Sequence, residues 1–143
     1  MVDQNLIGRS TGPVIYDVEG WHVQRFAAAL GDDSSIYHDH AAARAAGHRT
    51  IPAPPTFAAA LRPEDPRSDL GIDFRRILHG EQAFEYRRPL YVGDVIHVTA
   101  RITELYEKSG KSGTMIFIVM EVEGREPGGA LVYSGRSVTV LRP

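Results

Sequence analysis

The second half of the chain carries the pattern that most limits its fold. From Gln82 onward apolar and polar residues alternate in long runs. Ile96, Val98, Ala100 and Ile102 point one way, while His97, Thr99, Arg101 and Thr103 point the other. A period of two is the signature of a strand with one buried face. Met115 to Glu123 and Leu131 to Leu141 repeat the theme. They are separated by the turn-rich stretches Lys108-Ser109-Gly110-Lys111-Ser112-Gly113 and Gly124-Arg125-Glu126-Pro127-Gly128-Gly129. Short turns between such runs predict an antiparallel meander.

The first half reads differently. Between Val18 and Leu30 the apolar positions Val23, Phe26, Ala27 and Leu30 follow helical three-and-four spacing, and Gly31 supplies a C-cap. Asp39 to Ala46 is alanine-rich and stops at Gly47, which predicts a second short helix before the proline-stiffened loop Arg49 to Pro55. Thr56 to Leu61 predicts the start of a third helix, small-sided and buried, soon broken by Pro63 and Pro66. Helices followed by long strands predict an α+β domain in which one antiparallel sheet curls around a central helix. At 143 residues and 43% hydrophobic content, the sequence is expected to form a single domain over residues 1–143. Trp21 and Tyr16 are expected as core or interface filler.

Composition excludes several functions. A net charge of -2 with scattered Lys and Arg gives no footprint for nucleic acid or an anionic membrane. The absence of cysteine rules out a thiol nucleophile, a disulfide framework and a thiolate metal site. The six histidines show no metal-ligand spacing, and nothing in the residues requires a cofactor. With no signal-like N-terminus and no spanning apolar run, a cytoplasmic protein is expected.

Three segments carry a resemblance. Phe26-Ala-Ala-Ala-Leu-Gly-Asp32-Asp33-Ser-Ser-Ile-Tyr37-His38-Asp39, then Ile51-Pro-Ala-Pro-Pro-Thr-Phe57, then His79-Gly-Glu-Gln-Ala-Phe-Glu-Tyr86-Arg-Arg-Pro-Leu-Tyr-Val-Gly-Asp94, together resemble the MaoC-like hydratase and dehydratase family. The likeness is to its N-terminal-type domains, and the elements keep their order from Gly8 to Val140. It implies a hot-dog fold whose units pair as homodimers or heterodimers with another MaoC-like subunit. It also implies a tunnel for an acyl thioester of coenzyme A or of acyl carrier protein. The implied reaction interconverts a trans-2-enoyl thioester and its (3R)-3-hydroxyacyl thioester. That chemistry needs groups that move protons to and from one water, and donors aimed at the thioester oxygen.

The family signature places a His five positions after an Asp. Here the ungapped match puts Asp32 on the Asp and Tyr37 on the His. A phenol with an ordinary pKa near 10 is a poor base at neutrality. Asp33 with His38 restores the same spacing one step along, so the candidate catalytic residues are Asp32, Tyr37 and His38, with Asp33 as the alternative acid. Asp32 also suits a capping role after Gly31, and His38, His40 and His48 also read as solvated histidines. Where the family has a glycine N–H at the helix start, this chain has Ala53-Pro54-Pro55-Thr56, and proline has no N–H to donate. These four residues, with His79 and Glu81, form the expected substrate-binding set. Arg62, Arg67, Arg75, Arg76, Arg87 and Arg88 are candidates for phosphate or carrier-protein contact. Gly93-Asp94 reads as a turn pair without chemistry. A non-catalytic thioester-binding subunit is the second reading. A hot-dog thioesterase ranks third, because Thr56 to Leu61 holds no acidic residue.

Overall fold

A computed structural model describes residues 3–142. Its elements run β1 (Val14–Asp17), α1 (Gly20–Ala29), α2 (His40–Ala45), β2 (Ile77–Tyr86), β3 (Val95–Gly110), β4 (Gly113–Arg125) and β5 (Leu131–Leu141). The five strands form one sheet in the order β1-β3-β4-β5-β2, with every pairing antiparallel. This is the hot-dog arrangement. The predicted meander is β3-β4-β5, and its alternation holds: Ile96, Val98, Ala100 and Ile102 are all buried while Arg101 is exposed. Among the described residues no helix is long and apolar enough to cross a membrane.

Both predicted helices form, slightly shorter than their patterns. α1 buries Val23 and Ala27, and Phe26 packs beside them. Leu30, expected on that face, is instead 54% exposed. It is the C-cap, and the chain leaves the helix axis at Gly31, whose φ of 72° closes a Schellman turn with Gly31 N–H to Ala28 O and Asp32 N–H to Ala27 O at 3.0 Å each. α2 starts on Asp39, whose carboxylate accepts from the Ala41 and Ala42 N–H groups at 2.8 and 3.3 Å.

The third predicted helix is only one 3-10 turn, Phe57–Ala60. Pro54-Pro55 before it and Pro63 after it leave no length for an α-helix. It is nevertheless the centre of the core. Phe57 and Leu61 are fully buried with Leu90, Ile96, Val98, Val132 and Tyr133. α1 closes over it, with the Phe26 and His22 rings edge-on to Phe57 at 5.3 and 4.9 Å. The sheet therefore wraps a turn that α1 completes.

Other departures lie at edges. β1 is an edge strand of four residues with no long alternation to betray it. β2 begins at Ile77, not Gln82, because the polar run His79-Gly80-Glu81-Gln82 lies on the other edge strand, where neither face is covered. The strands β3 and β4 continue through the predicted turn to Gly110 and Gly113, leaving Lys111-Ser112 as the loop. Trp21 is 55% exposed, with its Nε1 donating to Glu19 at 2.6 Å, so it does not fill the core. Tyr16 does pack against the core, and its hydroxyl donates to Arg62 O at 2.7 Å.

The ring of Tyr133 lies flat over Gly124, its register partner on β4. A Cβ at that glycine would sit 2.1 Å from the ring. Gly124→Ala is expected to lower unfolding free energy by about 1–3 kcal/mol in urea titration, the usual cost of overpacking. The Tyr133 hydroxyl is buried without a hydrogen-bond partner among the described residues, so Tyr133→Phe is expected to hold or raise stability in the same assay.

Candidate active site

Two helix ends deliver the cleft residues. Each closes in a Schellman turn. Asp32 follows Gly31 at the end of α1, and His48 follows Gly47 at the end of α2, where Gly47 has φ 91° and His48 N–H donates to Ala43 O at 3.0 Å. Between them the turn Ser35–Tyr37 carries Tyr37 into the core, 8% exposed.

Tyr37 lies between two clefts. The larger, about 480 Å³ and mainly apolar, is walled by Ile36, Tyr37, His48, Pro52 to Pro55 and Tyr86 to Leu90. The smaller, about 410 Å³, is bounded by Gln24, Ala27, Ala28, Gly31, Asp32, Asp33, Tyr37 and His38. The four residues picked for catalysis thus share the smaller cleft, and Ala53, Pro54 and Pro55 join Tyr37 in the larger. Burial first, and then the nearby Asp32 charge, push the Tyr37 phenol above its ordinary pKa. It is therefore a proton or hydrogen-bond donor at neutral pH. Asp32 is exposed and accepts from Ser34 N–H at 3.1 Å, the capping geometry its position after Gly31 suggested. His38 is exposed.

The remaining predicted binding residues lie elsewhere. Thr56 is exposed and walls neither cleft. His79 pairs with Thr139 on edge strand β2, and Glu81 on the same strand holds Arg136 at 3.0 Å. Of the arginines, Arg87 and Arg88 reach the larger cleft. Arg67 instead turns inward to clamp Asp65 through two bonds of 2.8 Å. Burial alone would raise the Asp65 carboxyl, but these bonds outweigh it and hold the pKa below the usual range.

The backbone along Ala53–Pro55 offers a ligand no amide hydrogen. Ala53 N–H is spent on Leu90 O at 2.7 Å, and both prolines lack one. Tyr86 also lines the larger cleft, its hydroxyl buried without a hydrogen-bond partner among the described residues. Burial pushes that phenol up. The Ala58 amide approaches and moderates the rise, without meeting hydrogen-bond geometry.

Asp94, read from sequence as a plain turn residue, organises this wall. Its side chain is only 9% exposed and accepts from Arg88 at 2.6 Å, Arg49 at 2.7 Å and Tyr91 N–H at 2.9 Å. Arg88 also holds Glu126 at 2.7 Å, and Arg49 lies 4.7 Å over the Tyr91 ring. The Tyr91 hydroxyl is 3.3 Å from His48 Nδ1. His48 and this network are not legible in the sequence because the links His48–Tyr91 and Arg49–Asp94 span 43 and 45 residues. The only local sign was a histidine placed just after a helix-ending glycine and just before three prolines.

The sequence model of the FAS1-like dehydratase domain region matches residues 5–134. A UPF0336 protein of Streptomyces coelicolor is 41% identical over 117 residues, which cover 76% of this chain and 77% of that protein. The C-terminally truncated HadBC (3R-hydroxyacyl-ACP dehydratase) complex of Mycobacterium tuberculosis contains a chain of similar fold. The TM-score is 0.80 at 20% identity, covering 97% of this chain and 99% of that one. The (R)-hydratase from A. caviae involved in PHA biosynthesis gives a TM-score of 0.74 at 20% identity, covering 99% and 100%.

Asp94→Ala would leave Arg88 without its nearest carboxylate and free the Tyr91 turn. It is expected to cost about 1.5–3 kcal/mol in denaturant unfolding, as for hydrogen bonds to a charged group. Glu85→Ala, which removes the exposed Arg87 pair, is expected to leave the midpoint in place.

Proposed function

Because the chain belongs to the FAS1-like dehydratase family of MaoC-like hot-dog proteins, we propose that it is a hydratase or dehydratase, or a subunit of one. Its substrate would be an acyl thioester of coenzyme A or acyl carrier protein, and the reaction would interconvert trans-2-enoyl and (3R)-3-hydroxyacyl forms. The observation that carries this reading is the apolar cleft of about 480 Å³ with Tyr37, the signature position, in its wall. A cleft of this size and lining suits an acyl chain. In this reading residues 1–143 act as one cytoplasmic hot-dog domain, and edge strand β2 meets a second hot-dog subunit, of this chain or of a relative. An uncovered ten-residue edge strand favours such pairing.

In the proposed reaction Tyr37, held neutral, donates to the reacting water or the thioester. Asp32, fixed by its turn, keeps the Tyr37 loop in place. A specific observation favours a second reading, that of a thioester-holding subunit. No amide hydrogen is free along Ala53–Pro55, where the family's oxyanion donor would lie, and a partner subunit would then supply the donor.

The test is hydration of crotonyl-CoA and longer trans-2-enoyl-CoA thioesters, followed by loss of the conjugated absorbance, for the chain alone and with MaoC-like partner subunits. Turnover by the chain is expected to fall about 10²-fold in Tyr37→Phe, the lower range for losing a positioned proton donor. Turnover only with a partner, insensitive to Tyr37→Phe, would assign the holding role. Failure to bind any acyl thioester would end both readings.

A further inference from the structure

We propose that His48 is the proton-transferring side chain of the larger cleft. The inference rests on the thioester reading above and adds a residue that the family signature does not contain.

Three observations converge on it. His48 stands in the wall of the same cleft as Tyr37, half-buried, whereas His38 is exposed in the smaller cleft. Its backbone is pinned on both sides. Behind it lies the Schellman bond to Ala43 O at 3.0 Å. Ahead of it Val92 N–H reaches Ile51 O at 2.9 Å and Ala53 N–H reaches Leu90 O at 2.7 Å. Its imidazole is oriented by a second group, with Nδ1 3.3 Å from the Tyr91 hydroxyl. Tyr91 is in turn held by the Arg49 guanidinium over its ring and by Asp94 at its N–H. A base held by a second side chain, itself held by a third, is the usual architecture of proton transfer. In the tautomer whose Nδ1–H donates to the Tyr91 hydroxyl, Nε2 is the nitrogen that accepts a proton.

The two cleft groups then have complementary parts. Tyr37 is kept protonated and serves as a donor, while imidazole is the side chain suited to accept and return a proton near neutrality. The water oxygen bonds to the β-carbon as its proton passes to His48 Nε2. The carbon–carbon π pair moves to the α-carbon, giving the enolate of the thioester. The imidazolium returns its proton there, so the product is the 3-hydroxyacyl thioester and His48 ends as it began. Water and the enoyl thioester are the only reactants.

The alternative role for His48 is packing alone against Tyr91, and the experiment separates the two. The full chain is assayed for crotonyl-CoA hydration and, by calorimetry, for crotonyl-CoA binding. His48→Ala is expected to lower kcat by about 10²- to 10⁴-fold with binding and melting temperature kept. Imidazole added to the buffer is expected to restore part of the rate, which loss of packing would not allow. His48→Gln keeps the side-chain bulk and should lose the same activity if the alanine variant folds poorly, and His40→Ala serves as the unaffected control. Wild-type turnover matched by both His48 variants would overturn the inference and leave the thioester reading standing. Binding by the wild type without turnover would overturn it in favour of the holding subunit. Absence of binding would remove the inference together with the reading on which it rests.

Discussion

The cleft side of this protein depends on one short antiparallel contact outside the named strands. Residues 51 to 53 lie against residues 90 to 92, joined by Ala53 N–H to Leu90 O, Val92 N–H to Ile51 O and the bridge between Pro52 and Tyr91. Through it the proline-rich segment is tied to the turn that enters β3. Leu90 and Ile51 are both buried there, so the two hydrogen bonds are shielded from water and hold the segments firmly. Asp94 then locks the turn from beneath by accepting from three donors. Without this contact the end of α2, the prolines and Tyr91 would have no common frame.

Several features follow from that frame. The central turn is short because prolines bracket it, and being short it leaves Phe57 to be covered by α1. The same prolines remove the amide hydrogens that a longer helix would present to a ligand. The polar side chains of the cleft are Tyr37, His48, Tyr86, Arg87 and Arg88, on a mainly apolar wall. Phenols in a poorly hydrated setting stay protonated, since burial penalises the phenolate. The cleft is thus supplied with neutral donors, while Arg88 at its rim is already neutralised by Asp94 and Glu126.

Packing on the sheet has an equally local origin. Tyr133 over Gly124 and Phe84 over Gly135 form aromatic–glycine pairs across adjacent strands, the second with a would-be Cβ only 3.2 Å from the ring. Each lets a ring lie on the backbone of its neighbour. The two rings meet edge-on at 6.3 Å, and Tyr86 stands 5.7 Å from Tyr133. The aromatic layer therefore joins the cleft wall through Tyr86, and the Tyr86 and Tyr133 hydroxyls are buried within it.

How much was legible in the sequence depends on the range over which each feature is encoded. The meander, both helices and their glycine caps are written in spacing over a few residues: Ile96 to Ile102 alternates because a strand repeats every two residues, and Asp39 and Gly47 bracket a helix by local hydrogen bonding. The resemblance in turn located Tyr37 beside Asp32 and the prolines of the 52–55 segment. The edge strands were not legible. β1 is only four residues long, too short for its alternation of half-buried and exposed residues to read as a period, and the start of β2 lacks a covered face. Nor did the sequence show that His79, Glu81 and Thr56 lie away from the clefts, or that His48, Tyr91 and Asp94 come together. That assembly was decided only by the tertiary structure, because its links His48–Tyr91 and Arg49–Asp94 join side chains more than 40 residues apart, brought within hydrogen-bonding distance when the 51–53 segment docks on the 90–92 segment.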